Sequence, residues 1–146
     1  MQTGDALLQL YTSGTTGNPK GVLFSHRSTV LHSYAVCTPD GLGLSNTETI
    51  LPVVPMFHVN AWGIPYAAAM CGAKMVMPGA RMDGEALYEL MESEQVTLSA
   101  GVPTIWMMLI GYMKENDKKF SSMQRTVIGG AAAPRAMIET FEKDYN

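Results

Sequence analysis

Between two apolar runs, Ala6 to Leu10 and Val22 to Phe24, the chain places the segment Tyr-Thr-Ser-Gly-Thr-Thr-Gly-Asn-Pro-Lys-Gly, Tyr11 to Gly21. Nothing else in the sequence constrains the fold so tightly. Glycines at 14, 17 and 21 let the backbone turn through angles closed to other residues and bring its N–H groups near a bound anion. Thr12, Ser13, Thr15 and Thr16 add hydroxyls, and Lys20 adds a mobile positive charge. This is the equipment of a cradle for a polyphosphate. The Walker phosphate loop needs Gly-Lys-Ser/Thr opening directly into a helix. Here Pro19 precedes the lysine, Gly21 follows it, and a strand-like run comes next. The loop therefore joins strand to strand. An ordinary Gly/Ser/Thr hairpin turn would have the same small residues, but would not need the Pro-Lys-Gly tail.

The rest of the chain alternates strand and helix. Ala6 to Tyr11 and Gly21 to Phe24 read as strands on either side of the loop. Ser25 caps a helix starting near His26, with Val30, Leu31, Tyr34 and Ala35 on its apolar face, and Thr38-Pro-Asp-Gly ends it. Thr49 to Val54 reads as a buried strand. Phe57 to Cys71 reads as a helix, irregular around Gly63 and Pro65 and stopped by Gly72. A short strand from Lys74 to Met77 follows, then a helix capped by Asp83 with Ala86, Leu87, Leu90 and Met91 facing inward. Val96 to Ser99 is a strand, Pro103 opens a helix to Glu115, Arg125 to Ile128 is a strand, and Pro134 opens a last helix. Strands separated by helices of this length imply parallel β-α-β units. The expected class is α/β, a partial parallel or mixed sheet flanked by helices.

Composition narrows the functional classes. Of 146 residues, 47% are apolar and only 16% charged, little charge for a freestanding surface of this size. The expectation is an internal piece of a larger domain. Net charge is −3 and no basic cluster exceeds Lys118-Lys119, so no nucleic-acid footprint is expected. Cys37 and Cys71 have no metal or redox spacing and read as buried free thiols; His26, His32 and His58 have no zinc spacing. The start of the sequence has no signal-peptide pattern. A stretch without Asp, Glu, Lys or Arg between Glu48 and Lys74 is broken by Pro52, Pro55 and Pro65, whereas a membrane span wants about twenty continuous, mostly apolar residues. The methionines, including Met107, Met108 and Met113, read as core filling.

The segment Tyr11 to Val22 resembles the phosphate-binding signature of the adenylate-forming, or AMP-binding, enzymes. Val-Pro-Met-Phe-His-Val-Asn-Ala-Trp, Val54 to Trp62, resembles the gate motif of medium- and long-chain fatty acyl-CoA synthetases. Ile-Gly-Gly-Ala-Ala-Ala-Pro-Arg, Ile128 to Arg135, is similar to the turn beside the adenine pocket in the same enzymes. The resemblance covers nearly the whole chain.

It implies that residues 1–146 are a fragment of the large domain, with the C-terminal lid domain outside them. It also implies ATP-dependent activation of a fatty or other carboxylic acid to an acyl-adenylate and then a coenzyme A thioester, a reaction of lipid metabolism. ATP, Mg²⁺, coenzyme A and the acid are the implied small molecules. Thr12 would help hold Mg²⁺; Ser13, Gly14, Thr15, Thr16 and Gly17 would wrap the phosphates; Lys20 would neutralise the leaving pyrophosphate. His58 would sit near the carboxylate or adenylate oxygens, Val59 would line the acyl tunnel, Trp62 would gate it, and Gly130 would touch adenine and acyl-adenylate. His58 and Trp62, four residues apart, would share one face of a helical turn. The implied setting is cytoplasmic, with a possible homodimer in the complete enzyme, and the fragment alone is expected to be inactive. A non-catalytic ATP or AMP module, and adenylation of another carboxylate such as an amino acid, are the alternatives.

Overall fold

The computed structural model describes residues 5–12, 18 and 20–145. It divides into two compact units, one made of residues 1–46 and 55–72, the other of residues 47–54 and 73–146.

The first unit opens with an antiparallel hairpin of β1 (Ala6–Thr12) and β2 (Lys20–Ser25), with Thr12 opposite Lys20. Helix α1 (His26–Cys37) follows directly. Ser25 caps it by accepting from the Ser28 N–H at 3.1 Å, and Ser28 Oγ accepts in return from the Ser25 N–H at 3.1 Å, a reciprocal capping box. The expected apolar face of α1 is not the buried one. Ser33 and Val36 are buried, while Val30, Leu31 and Tyr34 are 50, 57 and 61% exposed. The helix packs on α3 (Ile64–Cys71) through its small-residue side, and periodicity alone could not tell which face that would be. Cys37 and Cys71 are free thiols at the ends of these two helices. Burial, and then the neighbouring Cys71, push the Cys37 thiol's pKa up, which keeps it in the unreactive protonated form.

The second unit is a four-stranded parallel sheet in the order β4-β3-β5-β6: β3 (Thr49–Pro52), β4 (Lys74–Met75), β5 (Leu98–Gly101) and β6 (Arg125–Ile128). β5 begins two residues later than expected, because Thr97 spends its hydroxyl and N–H on Thr49 and Glu48 before the ladder starts. Helices α4 (Gly84–Ser93), α5 (Pro103–Glu115) and α6 (Arg135–Asp144) complete the unit. Its core gathers Leu51, Leu87, Met91, Trp106, Leu109 and Met113. Trp106 is fully buried, donates its indole N–H to the Gly101 carbonyl at 3.3 Å, and meets Phe141 edge to face at 5.6 Å. Of the α5 methionines only Met113 fills the core; Met107 and Met108 are exposed. Glu48, almost buried, joins the Arg125 guanidinium to the Thr97 hydroxyl at the amino ends of the strands.

No helix among the described residues is long and apolar enough to cross a membrane. Among the same residues no cluster of three His, Cys, Asp or Glu side chains could hold a metal ion.

Candidate functional site

The hairpin brings the two ends of the phosphate-loop segment together. Thr12 is the last residue of β1 and Lys20 the first of β2, paired across the ladder, with Lys20 exposed. The strand-to-strand connection expected from Pro19 and Gly21 is therefore present. Ser13, Gly14, Thr15, Thr16 and Gly17 lie outside the described residues, as does Pro19.

The segment bearing His58, Val59 and Trp62 departs from expectation. A right-handed helix from Phe57 to Cys71 does not form. Instead α2 (Val59–Trp62) is a single left-handed turn: φ is 46° at Val59, 50° at Asn60, 49° at Ala61 and 57° at Trp62, and Gly63 continues at 73°. A left-handed conformation costs an L-residue roughly 1–2 kcal/mol, and Val59 is β-branched. The surroundings must over-determine such a run, and strain of this kind clusters at functional sites. Here the turn is tied by Ala61 N–H to the His58 carbonyl and Gly63 N–H to the Asn60 carbonyl, both at 3.1 Å, and Ala61 is completely buried. Because the turn is left-handed, the four-residue spacing of His58 and Trp62 does not place them on one face of an ordinary helix. His58 is exposed at the start of the turn and Trp62 is half-buried at its end.

Gly63 ends the turn and starts α3, with Pro65 in its first turn. The same turn forms one wall of an apolar cavity of about 240 Å³, whose lining includes Val59, Asn60 and Gly63 together with Phe24, His32 and Tyr66. His32, on α1, carries no motif or spacing that singles it out in the sequence. Its Nε2 lies 3.0 Å from the Trp62 carbonyl oxygen. The contact spans thirty positions, and no local signal announces it.

In the second unit, Gly129 and Gly130 follow the carboxyl end of β6, where open parallel sheets bind ligands. Gly129 N–H donates to the Gly101 carbonyl at 3.2 Å, fastening this turn to the carboxyl end of β5. Gly130 has φ 78°, and a Cβ there would come within 3.1 Å of Val102. The positive φ favours glycine at 130 and a Cβ would also crowd Val102, while the exposed residues Gly130, Ala131 and Ala132 leave a low, open backbone surface.

The family model described as AMP-binding enzyme matches residues 1–146. The chain is 58% identical over 135 residues to a 3-methylmercaptopropionyl-CoA ligase of Ruegeria lacuscaerulensis, covering 92% of this chain and 25% of the relative. It is also 58% identical to a medium-chain-fatty-acid–CoA ligase of Ectopseudomonas oleovorans, with the same 92% and 25% coverage. Against a long-chain-fatty-acid–CoA ligase of Thermus thermophilus it is 53% identical over 133 residues, 91% of this chain and 25% of that one. The chain thus spans about a quarter of the length of these relatives. Among solved structures, a long-chain-fatty-acid–CoA ligase from Archaeoglobus fulgidus superposes with a TM-score of 0.81 at 29% identity, covering 95% of this chain and 28% of that one. The inhibitor-bound N-terminal domain of FACL13 from Mycobacterium tuberculosis gives 0.80 at 28% identity, covering 94% and 34%. The chain belongs to the AMP-binding enzyme family.

Proposed function

We propose that the complete protein carrying this chain activates a fatty or related carboxylic acid with ATP and transfers the acyl group to coenzyme A. The observation that carries this reading is the joint presence, in one unit, of a phosphate-loop hairpin closed by Thr12 and Lys20 and of an apolar cavity walled by the strained turn. The cavity suits an alkyl tail. The kinship to acyl-CoA ligases supports the same substrate class.

In the first half-reaction a carboxylate oxygen attacks the α-phosphorus of ATP, a P–O bond forms, and the bond to pyrophosphate breaks. In the second, the coenzyme A thiol attacks the acyl carbon, AMP leaves, and the thiol proton passes to solvent. Neither step needs a nucleophilic side chain, so positioning and charge neutralisation carry the work. Ser13, Gly14, Thr15, Thr16 and Gly17 would hold the phosphates through N–H groups and hydroxyls, and Lys20 would balance the charge growing on pyrophosphate. A threonine hydroxyl beside phosphate oxygens is a donor set that suits a hard cation. Thr12 would hold Mg²⁺ in that way, and the ion would supply further screening of the phosphates. His58 would bond the carboxylate or adenylate oxygens, Val59 would line the acyl tunnel, and Trp62 would gate it as a rigid plate with few rotamers. Gly130 would lie against the flat adenine and the acyl-adenylate. The reading also carries a setting in cytoplasmic lipid metabolism and a homodimeric complete enzyme.

The test is ATP–pyrophosphate exchange by the full-length protein against a panel of carboxylic acids. Exchange driven by alkanoates is expected; exchange driven only by an amino acid, or none with any acid, overturns the reading. Lys20→Ala should slow adenylate formation by about 10²–10³-fold, the usual loss when one charge-stabilising donor is removed, while acid binding stays nearly constant.

A further inference from the structure

The left-handed turn is held from outside by a side chain with no part in the chemistry above. We propose that His32 is a positioning residue that keeps α2 left-handed and thereby sets Trp62; the consequence for acyl entry rests on the reading of Trp62 as a gate. Three observations converge on this one ring. Its Nε2–H donates to the Trp62 carbonyl at 3.0 Å, fastening the last residue of the turn. A Cβ on residue 63 would come within 2.7 Å of the same ring, so the ring takes up the space that only glycine leaves at the joint between α2 and α3. The ring also lines the cavity that Val59 and Asn60 line.

The two partners differ in kind. His32 stands on a right-handed helix fixed by a capping box at Ser25 and by the Thr38 N–H bonded to the Ala35 carbonyl. The turn, by contrast, consists of four non-glycine residues in a conformation that such residues reach only under external constraint. A rigid base therefore holds a strained element through one hydrogen bond and one close packing contact. Losing the hydrogen bond frees the turn toward ordinary backbone angles, and Trp62 moves with it. An alkyl tail in the cavity would press on this same joint, so His32 ties cavity occupancy to the setting of Trp62.

Two substitutions in the full-length protein separate the bond from the bulk. His32→Phe keeps a ring and removes the donor; His32→Gln keeps an N–H of comparable reach. The first readout is amide hydrogen exchange at Ala61 and Gly63, with the amides of β3 and β5 as internal controls. About fivefold faster exchange at the two turn amides is expected in His32→Phe, the factor that one net hydrogen bond represents, with the controls unchanged and His32→Gln close to the parent. Unchanged turn amides in His32→Phe, equal acceleration in both variants, or acceleration of the control amides as well would each overturn the assignment. The second readout is binding of a fluorescent alkanoate with and without a non-hydrolysable ATP analogue. His32→Phe should reduce the enhancement by nucleotide about fivefold and His32→Gln should restore it. A parent that binds the alkanoate equally well with and without nucleotide overturns the gate reading of Trp62, and the exchange data still decide the role of His32.

Discussion

The two units use backbone conformation in opposite ways. In the sheet unit, positive φ among non-glycine residues occurs singly, at Gln95 after α4 and Asp117 after α5, where one left-handed residue ends a helix at small cost. In the hairpin unit, four such residues come in succession in α2, immediately before another at Gly63. The burial follows the same division. The sheet unit encloses Trp106, Leu109, Met113 and both faces of β3 and β5, whereas the hairpin unit leaves Leu23, Val30, Leu31 and Tyr34 exposed. One region is built for stability from locally consistent pieces. The other holds a strained turn beside a cavity and carries most of the residues proposed above for phosphate and acyl handling, Gly130 being in the sheet unit. Local and global preferences agree in a scaffold and conflict where function is placed.

The largest effect should come from breaking the scaffold. Trp106 has no exposed surface, an indole bond to Gly101 and an edge-to-face contact with Phe141. Trp106→Ala should cost about 3–5 kcal/mol, the range for losing a large buried aromatic. Urea unfolding of the full-length protein, followed through the helical signal, measures it. A loss below about 1 kcal/mol would mean that the sheet unit is not the stable half, and the comparison would fail.

A smaller effect, opposite in sign to the usual rule, should come from the strained turn. Glycine placed inside a regular element normally destabilises by roughly 0.5–1 kcal/mol. At Val59 it should stabilise. The residue is 46% exposed, so little buried surface is lost, and its φ of 46° is a penalty that glycine does not bear. The relief of roughly 1–2 kcal/mol outweighs the extra chain entropy of glycine, leaving about 0.5–1 kcal/mol of gain. Ala100→Gly, in the middle of β5, should move stability the other way by a similar amount. Thermal unfolding of the two variants side by side sharpens the contrast; destabilisation by Val59→Gly would remove the strain from the account.

These differences explain what could be read from the sequence. Asp83, Pro103 and Pro134 mark helix starts by local chemistry, and each lies where its helix begins. Ser25 does the same for α1. Thr49 to Val54, buried throughout apart from the edge residue Thr49, shows the continuous apolar character of an interior parallel strand. Gly130 stood out only for the ligand contact that the resemblance implies; its positive φ and its closeness to Val102 are set by the fold and have no local mark. Legibility ends where tertiary contacts overrule local preference. Val-Asn-Ala-Trp has ordinary right-handed propensity, with only Asn60 tolerant of the left-handed region, so its handedness is set by what surrounds it. His32 reaches Trp62 across thirty positions, with neither residue marked for the other. Val30, Leu31 and Tyr34 have the spacing of a buried face, yet Ser33 and Val36 are the buried residues of α1, and spacing alone does not choose between the two faces.

The smallest expected effect concerns how helices are capped in the two units. The His58 side chain makes no capping bond to α2, whereas Asp83 caps α4 by accepting from the Ala86 N–H at 2.9 Å. That bond, and next the Arg81 guanidinium, hold the Asp83 carboxyl below its ordinary range. A carboxylate with a lowered folded-state pKa stabilises fully above its unfolded value and loses that contribution as pH falls through the folded one. The first turn of α4 should therefore fray only in acid, below the ordinary carboxylate range, and the effect should be slight because Asp83 is exposed to solvent. The Ala86 amide resonance, followed through an acid titration, reports it. Asp83→Asn keeps a capping oxygen but cannot titrate, so its Ala86 resonance should stay level through the range where the parent moves. Asp83→Ala should show the frayed position at every pH. If the asparagine variant still titrates, the Asp83 carboxylate is not the group that controls this cap.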